Sequence, residues 1–137
     1  MSGLFREICG MLLVDCAKNF FGIHDDSGTT VGYQRKDSNG FTNYDSYGAS
    51  TGFTREDYGG YTSYDRYGAS TGFARKNSDG YTFYDRYGSS IGFTKEDYDG
   101  YTIYDRYGCS TGFVRTDASG KLVQYDRSGR RIGYVDN

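Results

Sequence analysis

A twenty-residue period constrains this chain more than any other feature. Glycine followed by an aromatic recurs at Gly32-Tyr33, Gly52-Phe53, Gly72-Phe73, Gly92-Phe93, Gly112-Phe113 and Gly133-Tyr134. A Tyr-Asp pair runs in phase at Tyr44-Asp45, Tyr64-Asp65, Tyr84-Asp85, Tyr104-Asp105 and Tyr125-Asp126, with His24-Asp25 holding the same phase ahead of them. Two further glycine columns keep step: Gly40, Gly60, Gly80, Gly100 and Gly120, then Gly48, Gly68, Gly88, Gly108 and Gly129. Four columns in register along most of a chain mark tandem units. The pattern predicts five full repeats from about residue 32.

Each unit carries two turn signals. The first is Asn39-Gly40 and its equivalents Gly59-Gly60, Asp79-Gly80, Asp99-Gly100 and Ser119-Gly120. Asn-Gly and Asp-Gly suit tight hairpins because their central residues need φ > 0. The second is Asp65-Arg66-Tyr67-Gly68 and its relatives, in which Asp45, Asp65, Asp85 and Asp105 can accept from turn N–H groups. Between the turns lie short runs rich in β-formers, such as Ser50 to Glu56 and Tyr61 to Tyr64. Alternation places Thr51, Phe53, Arg55, Thr62 and Tyr64 on one face and Gly52, Thr54, Glu56, Tyr61 and Ser63 on the other. The first face, repeated as Phe73 with Tyr84, Phe93 with Tyr104 and Phe113 with Tyr125, is expected to form the buried spine. Phe53, Tyr61, Tyr64, Phe73, Tyr81, Tyr84, Phe93, Tyr101, Tyr104 and Phe113 are the candidate ligand or spine aromatics.

Composition bounds the core. Hydrophobic residues make up 36% of the 137 residues, and 16 of them are Tyr beside 9 Phe. Tyr carries a hydroxyl that wants a partner, so a thin, half-wet core is expected. Glycine at 21 copies with no proline excludes collagen. A net charge of −2 gives no global drive toward nucleic acid. Arg127, Arg130 and Arg131 read as a solvated rim.

Ahead of the repeats, residues 4 to 20 place Leu4, Phe5, Ile8, Met11 and Leu12 at helical spacing. Residues 1–22 are therefore expected to form a short helical cap, and 23–137 the repeat array. Neither a signal-peptide pattern nor a long apolar span is present. Cys9, Cys16 and Cys109 fit no zinc spacing and lean toward a reducing, cytoplasmic setting.

Catalytic and metal chemistry find little support. His24, the only histidine, stands where other units have Tyr. Cys109 stands in the phase of Ala49 and Ala69 and lies several units from His24. The aspartates lack the tight spacing of a calcium loop, and no phosphate-binding glycine motif occurs. Arg35, Arg55, Arg75, Lys95 and Arg115 recur on the strand after the aromatic, and Arg66, Arg86 and Arg106 in the second turn. Interspersed acids make ion pairs and Arg–Tyr stacking the expectation, with nucleic acid disfavoured. No enzyme, metal or cofactor is expected.

The expected fold is all-β: tandem hairpins forming a solenoid or an extended meander sheet. The layout of Thr51-Gly52-Phe53, Gly60-Tyr61, Tyr64 to Gly68 and Thr71-Gly72-Phe73 resembles the choline-binding or cell-wall-binding repeat family. That resemblance covers residues 32 to 134 in period and turn placement, with Phe53, Phe73, Tyr61, Tyr64 and Tyr84 in places where the family carries tryptophan or other aromatics. It implies a stack of hairpins with aromatic cages between them. The functional expectation is a non-catalytic scaffold or binding module, with a protein, a polysaccharide or itself as partner. Cell-wall or carbohydrate binding and structural self-assembly are the alternatives.

Overall fold

A computed structural model describes residues 20–98 and 100–135. It contains twelve strands: β1 (Phe20–Asp25), β2 (Thr30–Asp37), β3 (Gly40–Asp45), β4 (Ser50–Asp57), β5 (Gly60–Asp65), β6 (Ser70–Lys76), β7 (Tyr81–Asp85), β8 (Ser90–Glu96), β9 (Gly100–Asp105), β10 (Ser110–Thr116), β11 (Leu122–Asp126) and β12 (Arg131–Val135). Every neighbouring pair is antiparallel, and β1 closes on β12. The architecture is all-β, as expected, but it is a closed barrel and neither a solenoid nor an open meander.

Among the described residues there is no helix. Phe20 to Gly22, which the sequence assigns to a helical cap, form the start of β1. The rest of that segment, with Cys9 and Cys16, lies outside the described residues, as does Asp99.

Closure follows from a constant register. Gln34 pairs with Asn43 and Asn43 with Gly52. Thr94 pairs with Ile103 and Ile103 with Gly112. Across the seam, Val135 pairs with Ile23 and Ile23 with Gly32. Each hairpin is thus offset from the last by the same two-residue step, seam included. A sheet that steps uniformly and twists in one sense can meet its own first edge, which satisfies the backbone groups an open array would leave bare. The His24-Asp25 marker and Gly28 belong to a sixth hairpin, β1–β2, that completes the ring.

A bulge recurs in all six hairpins. Register shifts between Asn43 and Tyr44 opposite Gly52 and Ser50, which leaves Thr51 as the extra residue. The same shift falls at Val31, Thr71, Ile91, Thr111 and Ile132. Bulges sharpen local twist and are common at barrel rims.

The pairing sets Phe53, Arg55, Thr62 and Tyr64 on one face and Gly52, Thr54, Tyr61 and Ser63 on the other. The second face is the one turned inward. Thr54, Val114, Val135 and Ile23 are all at 0% exposure, with Gln34, Ala74 and Thr94 at 1–3%. Ile23, Tyr61, Ala74, Phe83, Ile103, Val114, Leu122 and Val135 form one buried cluster. The Phe/Tyr column expected as the spine lies instead on the outer wall, half-buried. The reason is curvature. On the concave side large and small residues share the room across each pair, Ala74 opposite Phe83 and Thr94 opposite Ile103, while the stacked Phe–Tyr pairs, large on both strands, turn out.

Candidate interaction surface at the turn rim

The outer wall carries a belt of stacked rings. Phe53 stacks on Tyr64 at 5.0 Å, and Phe73 on Tyr84, Phe93 on Tyr104 and Phe113 on Tyr125 each at 4.9 Å. Guanidinium groups cover three of the outer ring faces: Arg55 over Phe53 at 4.5 Å, Arg75 over Phe73 at 4.7 Å and Arg115 over Phe113 at 4.6 Å. Lys95 lies instead over Tyr104, at 5.7 Å. The same arginines reach back to the preceding unit's turn. Arg55 pairs with Asp37 at 3.2 Å, Arg75 with Asp57 at 3.3 Å and Arg115 with Asp97 at 3.0 Å. Threonines hold those carboxylates too: Thr42 donates to Asp37, Thr62 to Asp57 and Thr102 to Asp97. Each clamp therefore ties one unit to the next.

The remaining candidate aromatics face inward near the mouth opposite the Asp-x-x-Gly turns. Phe41 meets Tyr61 edge-on at 6.5 Å, and Tyr61 stacks on Tyr81 at 6.3 Å. Tyr101 donates to Glu96 Oε2 at 3.4 Å. Burial, reinforced by the negative charge of Glu56, raises the Tyr81 phenol above its usual range. Burial also raises Tyr101, with Glu96 adding to it. The ten aromatics thus divide: Tyr61, Tyr81 and Tyr101 inside, the other seven on the wall.

The single histidine sits on the closing seam. His24 stacks on Tyr134 at 4.8 Å and its Nδ1 lies 3.1 Å from Thr30 Oγ1. Cys109 is exposed, and its N–H donates to Asp105. Among the described residues no group of three or more His, Cys, Asp or Glu side chains is placed to hold a metal.

The other rim is built from one turn used six times. Asp65 Oδ1 accepts from the N–H of Tyr67 at 2.9 Å and of Ala69 at 3.0 Å, while Gly68 N–H donates to Asp65 O at 3.1 Å. Asp45, Asp85 and Asp105 repeat those distances. Asp25 and Asp126 do the same in the two hairpins beside the seam. In those two, the residue on the turn is Ser27 or Ser128, whose Oγ also donates to the Asp, at 2.7 and 2.6 Å. That extra bond is the first cause holding Asp25 and Asp126 below the usual carboxylate range.

In the four central hairpins that position is tyrosine. Tyr47, Tyr67, Tyr87 and Tyr107 are 94%, 85%, 84% and 81% exposed. Arg66, Arg86 and Arg106 lie 5.6–5.9 Å from the ring centroids of the tyrosines that follow them. Among the described residues, none of these three guanidiniums has a carboxylate within ion-pair distance, unlike the wall arginines. The sequence pattern reveals the turns but not this arc. The available signal was the serine at 27 and 128, which shows that the turn itself does not require tyrosine.

Comparison of the chain with family models, curated proteins and solved structures returns no match. The functional reading therefore rests on this geometry.

Proposed function

We propose that this protein is a non-catalytic binding module that presents the arc of Tyr47, Tyr67, Tyr87 and Tyr107, with Arg66, Arg86 and Arg106, to a partner. One observation carries the reading. Ser27 and Ser128 make the same turn with one more hydrogen bond, whereas tyrosine gives up that bond and leaves a ring in water. The hydrogen bonding of the turn gains nothing from the exchange. Four adjacent exposed aromatics of this kind mark a recognition surface.

The test uses Tyr47→Ser, Tyr67→Ser, Tyr87→Ser and Tyr107→Ser combined, since the chain already folds with serine at the equivalent positions. Co-sedimentation with peptidoglycan, chitin and phospholipid vesicles should retain the wild-type protein on at least one and lose it in the four-serine variant. Retention on none of them, or equal retention of both proteins, rejects the reading.

A second reading, a polysaccharide laid along the wall, draws on the belt of Phe–Tyr stacks. Arginines already occupy the outer faces of Phe53, Phe73 and Phe113, which disfavours it. Peptidoglycan binding lost in Tyr64→Ala and Tyr84→Ala but kept in the four-serine variant would restore it. Edge-to-edge self-assembly loses its driving force, because each described strand is paired on both sides.

A further inference from the structure

The partner's shape follows from the ring. The two-residue step is the same at every hairpin, so equivalent turns lie on one rim and not along a spiral. Neighbouring tips are separated by two strand spacings and that step, roughly 12 Å in all. A straight polymer laid on a ring crosses it at two places. A peptide adding as a further strand needs an open edge, and the barrel offers none among the described residues. Only a surface meets four consecutive tips together. Among the described residues nothing covers the rim: Phe20 and Val135 lie at the opposite end, beside the β2–β3 turn.

The chemistry of the tips suits the boundary of a lipid bilayer. Tyrosine has an apolar body and a polar tip, and it concentrates where acyl chains meet headgroups. Arg66, Arg86 and Arg106 stand beside the rings with fork-shaped donors that match phosphate oxygens. The turn carboxylates of Asp45, Asp65, Asp85 and Asp105 each have one oxygen committed to two backbone N–H groups. Acids and arginines nearly balance on this rim, which suits a zwitterionic headgroup layer better than a dense polyanion. We infer that the four-tyrosine arc docks the barrel, end-on, onto a phospholipid surface. This inference rests on the binding-module reading and assigns its partner.

Docking is distinct from spanning. Arg35, Arg55, Arg75, Lys95 and Arg115 face outward from the wall. A basic side chain on the lipid face costs about 2–4 kcal/mol at the bilayer midplane, so the wall belongs in water and only the rim touches lipid.

Vesicles of phosphatidylcholine, with and without phosphatidylglycerol, provide the probe. The chain contains no tryptophan, so tyrosine fluorescence reports contact directly when the acyl chains are brominated. The wild-type protein should sediment with both vesicle types and show quenching. The four-serine variant should bind at least tenfold more weakly, with its circular dichroism unchanged. Arg66→Gln, Arg86→Gln and Arg106→Gln combined should give an intermediate loss. A wild-type protein left in the supernatant with both vesicles overturns the lipid assignment; if peptidoglycan or chitin still retains it and loses the four-serine variant, the binding-module reading stands alone. If the four-serine variant sediments with vesicles like the wild type, both readings fall.

Discussion

Gly68 and Gly60, turn glycines on opposite rims of the barrel, are required for different reasons. At the tyrosine rim Gly68 adopts φ +88°, and a Cβ built there meets nothing within 4 Å. The constraint is purely conformational: the turn needs a left-handed residue. At the other rim Gly60 has φ +156°, and a Cβ would stand 2.1 Å from the Ala74 carbonyl oxygen of the next strand. There the constraint is steric, between two backbones that cannot separate without breaking a ladder. The tips of the tyrosine turns are open, and so free to vary what they display, although Gly52 just inside that rim is crowded in its turn, with a Cβ 2.3 Å from the Tyr64 carbonyl oxygen. The turns of the other rim are themselves crowded, and couple each unit to the next.

Replacing one glycine on each rim separates the two constraints most sharply. Gly60→Ala should destabilise by about 4 kcal/mol, in the range reserved for severe packing faults, whereas Gly68→Ala should cost only about 1 kcal/mol. Urea denaturation of the pair measures the gap, and equal losses would dissolve the distinction. Asp65→Ala comes next. It strips two backbone N–H groups of their acceptor and should cost about 1–2 kcal/mol, detectable as a lowered melting temperature.

The crowded rim also contains its own exception. Where other units clamp Asp to Arg, the third has Asn77 opposite Lys95: Asn77 donates to Thr82 Oγ1 at 3.1 Å and accepts from the N–H groups of Asp79 and Gly80, with no ion pair to Lys95 among the described residues. Asn77→Asp with Lys95→Arg rebuilds the clamp and should add about 0.5–1 kcal/mol, the ordinary yield of a half-exposed pair. A double-mutant cycle with no coupling would refute that account. The same rim should respond to alkali. Tyr81 and Tyr101 have phenols raised above the ordinary value of 10.0, so their neutral forms are the ones the fold favours. Their contribution is intact below pH 10 and is lost as pH rises through the higher folded value. Melting temperature should therefore decline above pH 10, and Tyr101→Phe should flatten the decline. Smallest of all, Tyr67→Ser on the open rim should change stability by less than about 0.5 kcal/mol, since Ser27 and Ser128 show that the turn accepts it.

Much of this molecule can be read from local pattern. The strands, both turns and the division of residues into two faces follow from alternation and glycine phase. Which face turns inward does not. Phe53 and Tyr64 are bulkier than Thr54 and Ser63, and burying the bulkier face is right for a flat stack. Curvature reverses that choice, and curvature depends on closure. Closure in turn rests on Ile23, His24 and Asp25 meeting Val135, Tyr134 and Gly133 from opposite ends of the described chain, a contact no twenty-residue window contains. The arc of exposed tyrosines was hidden differently. Asp65-Arg66-Tyr67-Gly68 is complete as a turn motif, so the repeat pattern does not set the tyrosine apart from the turn.

The uniform two-residue step also changes what copy number means. In an open array, each added unit lengthens a surface. In a ring it widens the circle. Gain or loss of a twenty-residue unit would alter the bore and the curvature of the tyrosine arc together, leaving every local contact formally intact. Selection on such a chain would act on its diameter.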